Sequence, residues 1–185
     1  MCIRQLTDGC EVWAPAKINL TLEVLARRPD GFHEIETVMS AISLYDTLRL
    51  RPCHLSSEIR LTVRAGVPSS DVVPASEEEI PEDERNLVVR ALRELQVAAG
   101  VRMGAFVTLW KRIPSAAGLG GGSSDAAAAL VGGNLIWRLG WSRARLAEIG
   151  ARIGSDIPFF LHRSPALCRG RGDEVQPLPT WGRVD

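Results

Sequence analysis

Apolar and polar residues alternate along "APAKINLTLEV", Ala14 to Val24. Ala16, Ile18, Leu20, Leu22 and Val24 fall on one side, and Lys17, Asn19, Thr21 and Glu23 on the other. A period of two belongs to a half-buried strand, so the pattern predicts an apolar face turned to a core and four polar side chains lining one surface. "RPDGFH" then brings Pro29, Asp30 and Gly31, the residues of a turn, and "IETVMSAISLYDTLRLRP" and "EIRLTVRAG" read as further strands. Residues 66–85 hold three prolines and a knot of acids without periodicity, which predicts an exposed, mobile loop. From Asn86 the spacing turns helical: Leu87, Ala91, Leu92, Leu95 and Ala98 share a face, with Gly100 placed to end the helix. "AFVTLWKRIP" returns to strand. A helix rich in alanine comes next, and Ser142 opens "SRARLAEIGARIG", which Gly154 stops. This order predicts a two-layer α+β domain without internal repeats.

The chain has 185 residues, 45% of them hydrophobic, enough for a substantial core in one large domain or one domain with an appendage. Its 22 basic and 22 acidic residues cancel, leaving no broad field to attract nucleic acid or an anionic membrane. Any anion must therefore be held locally. Cys2, Cys10, Cys53 and Cys168 form no C-x-x-C pair and have no histidine at metal-ligand spacing, so neither a zinc site nor a disulfide framework is expected. The N-terminus lacks a basic start followed by an unbroken apolar run, and no segment is long enough to span a bilayer. A cytoplasmic protein in a reducing compartment is expected, with neither nucleic acid nor membrane as partner.

The chemistry concentrates in "PSAAGLGGGSSDAAAAL", residues 114–130. Gly118, Gly120, Gly121 and Gly122 let the backbone bend and let a ligand approach the amides without Cβ obstruction, while the adjoining helix offers unpaired N–H groups and the positive end of its dipole. Ser123, Ser124 and Asp125 suit the helix entrance, as capping side chains. That reads as a phosphate cradle; a tight turn needed only for close helix packing is the alternative. It is neither a P-loop, since no lysine comes after the last glycine, nor a dinucleotide fingerprint after a first strand. Asp156, in "GSDIPFF", is placed to accept a substrate proton or to cap a turn. Lys17 is either a site cation or a solvated strand lysine. Phe32 and His33 offer an aromatic face beside an imidazole donor.

"PAKINLTLEVLARRPDGFHEIETVM", "ERNLVVRALREL", "KRIPSAAGLGGGSSDAAAAL" and "IGSDIPFFL" succeed one another in the order and approximate spacing of the GHMP small-molecule kinases, which this chain resembles across most of residues 13–180. The resemblance implies the two-layer α+β fold of the GHMP-kinase N-terminal domain, akin to domain 2 of ribosomal protein S5. It implies ATP and Mg2+ as cofactors, with Lys17 and Asp156 as the catalytic pair. The ATP phosphates would be wrapped by Pro114, Ser115, Ala116, Ala117, Gly118, Leu119, Gly120, Gly121, Gly122, Ser123 and Ser124, with Lys111 and Asn86 on the adenosine side and Ser124 as a magnesium contact. "PAKINL" joined to "RPDGFHEI" narrows the likeness to members acting on a cytidine diphosphate sugar alcohol, whose pocket would be formed by Asn19, Phe32 and His33, the Phe32 ring stacking on cytosine. Residues 1–185 are expected to be the N-terminal, ATP-binding domain, the family's C-terminal domain lying beyond "CRGRGDEVQPLP". A GHMP kinase for another small alcohol and a non-catalytic nucleotide-binding domain are the alternatives. An RNA-binding role, suggested by the ribosomal-protein likeness, is disfavoured by zero net charge and no basic stripe.

Overall fold

The structure, a computed structural model, describes residues 1–29, 31–66, 80–162 and 164–179. The loop expected over residues 66–85 therefore falls largely outside the described residues, as does Asp30 of the turn.

A seven-stranded sheet carries the molecule. β1 (Cys2–Leu6), β2 (Gly9–Arg27), β3 (His33–Cys53), β4 (Ile59–Ala65) and β5 (Gly104–Lys111) lie in the order β1-β2-β3-β5-β4, all neighbours antiparallel except the parallel β4–β5 pair. Short β6 (Ala166–Arg169) pairs with β3 at Thr37–Met39 and with β7 (Glu174–Pro177). Four helices complete the described fold: α1 (Leu87–Ala99), α2 (Gly121–Ile136), α3 (Arg143–Ile153) and α4 (Ile157–Leu161).

Local chemistry explains the helix ends. Asn86 accepts from Val88 N at the start of α1, and left-handed Gly100 closes that helix; Ser142 accepts from Arg145 N at the start of α3. The core lies between one sheet face and the helices. Val12, Leu48, Leu50, Leu61, Val107 and Leu109 meet Val88, Leu92 and Leu95 of α1 and Ala126 to Leu130 of α2. Helix α2 is buried on every side through its alanines and small residues. At Gly132 the helix approaches so closely that a Cβ would lie 2.5 Å from Leu50 Cδ1.

One expectation needs correction. The apolar side of Ala14–Val24 does not face the core throughout: Ala14 and Ala16 are buried, but Ile18, Leu20, Leu22 and Val24 are exposed, Val24 by 62%. β2 and β3 run on beyond the helical layer as an arm. Register shifts between Pro15 and Ala16, Asn19 and Thr21, and Val24 and Ala26 also reassign faces, because one extra residue turns the rest of the strand to the opposite side. Balanced net charge, moreover, conceals a local concentration of arginine. On the outer face of the sheet, Arg49, Arg51 and Arg64 gather with Phe106 and Trp110 around a shallow cavity, and Arg51 and Arg60 each stand 5.9 Å from the Phe106 ring.

Candidate functional site

The site begins with the turn that opens α2. Gly120 takes the left-handed conformation (φ +69°), and a Cβ there would stand 3.0 Å from Lys17 Cγ and 3.1 Å from Phe160 Cζ. Glycine alone lets the loop turn and close on both neighbours. Lys17 N donates to Leu119 O at 2.9 Å, stitching the loop to β2. Ser123, Ser124 and Asp125 do not cap the helix as expected. The bend at Gly120 starts α2 at Gly121, so they lie inside the helix, and the cap carries no side-chain hydrogen bond. The first-turn amides of Gly121, Gly122 and Ser123 are therefore left to an outside acceptor, at the positive end of the helix dipole.

A cavity of about 460 Å³ opens over this helix start, lined by residues 114–123, by Asn86, Leu87, Lys111 and Asp125, and by Lys17 and Asp156. A larger one, about 650 Å³, involves Asp8, Arg51, His54 and Arg138 and touches none of these groups. Size is a poorer guide here than the convergence of amides and charges.

Lys17 is only 7% exposed, which excludes the solvated strand lysine. Its ammonium donates to Asn19 Oδ1 at 2.6 Å and stands 3.9 Å from Asp156 Oδ2. Asn19 Nδ2 in turn donates to Thr37 Oγ1, and Thr37 to Thr21 O, so Lys17 is aimed by a hydrogen-bonded chain across β2 and β3. Asp156 occupies the cap position of α4, yet its side chain makes no capping hydrogen bond. It faces Lys17 instead.

Beneath the loop lies a cluster that sequence reasoning only half reached. Lys111 Nζ donates to Asp46 Oδ2 and, at 2.9 Å, to Asp125 Oδ2, while Asp46 Oδ1 accepts from the backbone of Arg112 and Ile113 at 2.5 and 2.9 Å. Burial works against the Lys111 charge, but Asp125 and Asp46 more than offset it and hold its pKa above the usual lysine value. One ammonium cannot neutralise two carboxylates. Burial first, then Asp46, pushes Asp125 up to about 8 against the pull of Lys111. Alternation carried the signal: Asp46 continues the row of Leu48 and Leu50, and Lys111 that of Val107 and Leu109. A charge on each of two core rows foretells a buried pair.

Lys111 and Asn86 both line the cavity, Asn86 with its side chain engaged at Val88 N and Pro81 O. Ser124 Oγ is buried without a hydrogen-bond partner, and so is Asp125 Oδ1. Phe32 and His33 do not enter the cavity; they sit at the tip of the arm, where His33 pairs with Arg27. Asn19 stays beside Lys17. The turn between β6 and β7 links the two regions, a role unforeseen from the sequence. Among the described residues, no three histidine, cysteine or acidic side chains gather as a metal site. No described helix is long and apolar enough to cross a membrane.

A glycine loop bound to a β-strand, an open helix start and a lysine–aspartate pair meet on one cavity. Residues 86–164 match the family described as GHMP kinases N terminal domain. It is 48% identical over 174 residues to the 4-diphosphocytidyl-2-C-methyl-D-erythritol kinase of Pelotomaculum thermopropionicum, covering 92% of this chain and 56% of that protein. It is 47% identical over 168 residues to the enzyme of the same name from Listeria monocytogenes, covering 91% and 53%. A crystal structure of 4-(cytidine 5'-diphospho)-2C-methyl-D-erythritol kinase matches with TM-score 0.68 and 37% identity over 91% of this chain and 55% of the other. Homoserine kinase from Cytophaga hutchinsonii, 20% identical with TM-score 0.68 over 95% of this chain and 53% of the other, shares the fold. The chain spans about half the length of the curated relatives it matches.

Proposed function

We propose that residues 1–185 form the ATP-binding, N-terminal domain of a 4-diphosphocytidyl-2-C-methyl-D-erythritol kinase, which transfers the γ-phosphoryl group of ATP to the 2-hydroxyl of that cytidine diphosphate sugar alcohol. The observation that carries this reading is the Lys17–Asp156 contact of 3.9 Å, opening on the cavity of the glycine loop. The relatives named above support the choice of acceptor.

Phosphoryl transfer passes through a loose transition state in which positioning and charge neutralisation do most of the work. The amides of Gly121 to Ser123 receive the phosphate chain, and Lys111 and Asn86 border the nucleoside end. Asp156 orients the acceptor hydroxyl and takes its proton as the new P–O bond forms and ADP departs. Lys17 offsets charge growing on the transferred group. Ser124 Oγ, buried and unpartnered, is the group of this chain that would hold a magnesium ion, which would supply neutralisation of phosphate charge. That hydroxyl fits magnesium, which keeps several waters and takes most other ligands from phosphate oxygens. Phe32 and His33, at the arm tip, face the cytidine end, while Asn19 stays with Lys17 at the reacting end.

ADP release with 4-diphosphocytidyl-2-C-methyl-D-erythritol, homoserine or mevalonate as acceptor tests the reading. The cytidyl substrate alone is expected to stimulate it, and Asp156→Ala and Lys17→Ala each to reduce turnover by about a hundredfold or more. Stimulation by another alcohol would move the chain to a different GHMP activity. Full activity in both variants would overturn the mechanism, and nucleotide binding without turnover would make this a binding domain.

A further inference from the structure

The turn that joins β6 to β7 sits between the arm tip and Asp156. Gly170 and Gly172, both left-handed at φ +69° and +97°, flank Arg171 and present it at the end of the turn. Gly170 O accepts from Ile35 N at 2.8 Å, which ties the turn to the arm. A Cβ on Gly172 would stand 3.6 Å from Ile35 Cδ1 and 3.7 Å from Asp156 Oδ1, so the turn also borders the reacting end of the site. From there the Arg171 guanidinium reaches 5.1 Å from the centre of the Phe32 ring. Asp173 fixes it, Oδ1 accepting from Arg171 N at 3.1 Å and Oδ2 from Nη2 at 3.3 Å.

One carboxylate does not use up the five donors of a guanidinium. Arg171 covers one face of Phe32, whose side chain still leaves the residue 53% exposed, so a base has room to stack. The three groups thus fall in the order of a nucleoside diphosphate linked to an alcohol: ring, cation, reacting pair. Two phosphates brought close to the Asp156 carboxylate need a neighbouring cation, and planar arginine suits phosphate oxygens better than a point charge. Resting on the acceptor reading above, we propose that Arg171 binds the diphosphate of the acceptor between Phe32 and the Lys17–Asp156 pair, and so selects a cytidine diphosphate over a bare nucleoside.

Calorimetric binding of CDP and of cytidine tests this on the intact chain, with ADP binding to the glycine loop as the control. The wild type is expected to bind CDP more tightly than cytidine. Arg171→Ala is expected to weaken CDP by between about ten- and a hundredfold while leaving cytidine and ADP within about twofold, and Arg171→Lys to fall between. A merely structural turn would weaken CDP and cytidine alike, and that outcome overturns the proposal, as does an unchanged preference for CDP in both variants. If the wild type binds neither CDP nor cytidine while still binding ADP, the acceptor reading itself fails, and Arg171 with it.

Discussion

Asn19 shows how one side chain can serve a site without touching the reacting atoms. Its amide accepts from Lys17 Nζ and donates to Thr37 Oγ1, so it holds the ammonium at a fixed place on a strand whose register shifts just beyond it. Removing it frees a lysine that has another neighbour, the Asp156 carboxylate 3.9 Å away, and the ammonium then spends time in orientations useless for the transfer. Asn19→Ala is expected to lower kcat by about tenfold, the equivalent of one hydrogen bond of roughly 1 to 1.5 kcal/mol, with ADP affinity unchanged. Steady-state kinetics beside ADP titration check this. A loss of ADP affinity equal to the loss of kcat would mean that Asn19 supports the glycine loop instead.

Among the elements, β3, β5 and α2 meet at Asp46, Lys111 and Asp125, and the charge count there sets the outcome of substitution. Lys111→Ala leaves two carboxylates buried without their cation and is expected to cost about 3 to 5 kcal/mol. Asp125→Asn leaves a one-to-one pair and removes the carboxylate that burial already disfavours, so it is expected to change stability by less than about 1 kcal/mol. Urea unfolding at pH 7 separates the two. Alternation and capping made much of this scale legible. The helix from Asn86 and the one from Ser142, with their caps, and the strands through Cys53, Ala65 and Lys111 all stand where their patterns place them. What escaped was non-local. β1, β6 and β7 are four or five residues long and owe their pairing to partners far along the chain, which no short window reveals. Lys17 was legible as a residue type but not as a buried one, because the shift at Pro15 and Ala16 depends on the pairing with β3. The loop was readable from its glycines, whereas Arg171 reaches Phe32 only through the pairing of β6 with β3.

Across the whole molecule, the helical layer covers only the body of the sheet. The long hairpin of β2 and β3 carries Leu20, Leu22, Val24 and Leu25 outward, while its base is sealed beneath α2. Cys10 and Cys168 mark how far that seal extends. Both are essentially fully buried, Cys10 beside Gly132 O of α2 and Cys168 where β6 crosses β3. Burial pushes each thiol up to about 11, with Asp156 adding to the effect at Cys168. In the unfolded chain the same groups ionise near pH 8.5. Their folded pKa values are the raised ones, so the stability they contribute is fully present below about pH 8.5 and is lost as pH rises toward 11. Unfolding free energy is therefore expected to fall between pH 9 and 11, by at most roughly 2 to 3 kcal/mol per thiol. Replacing Cys10 or Cys168 by alanine should lower stability at pH 8 but flatten that fall. Urea titrations of wild type and both variants at pH 8 and 10.5 measure the difference. An equally steep fall in all three proteins would place the alkaline sensitivity elsewhere than at these two thiols.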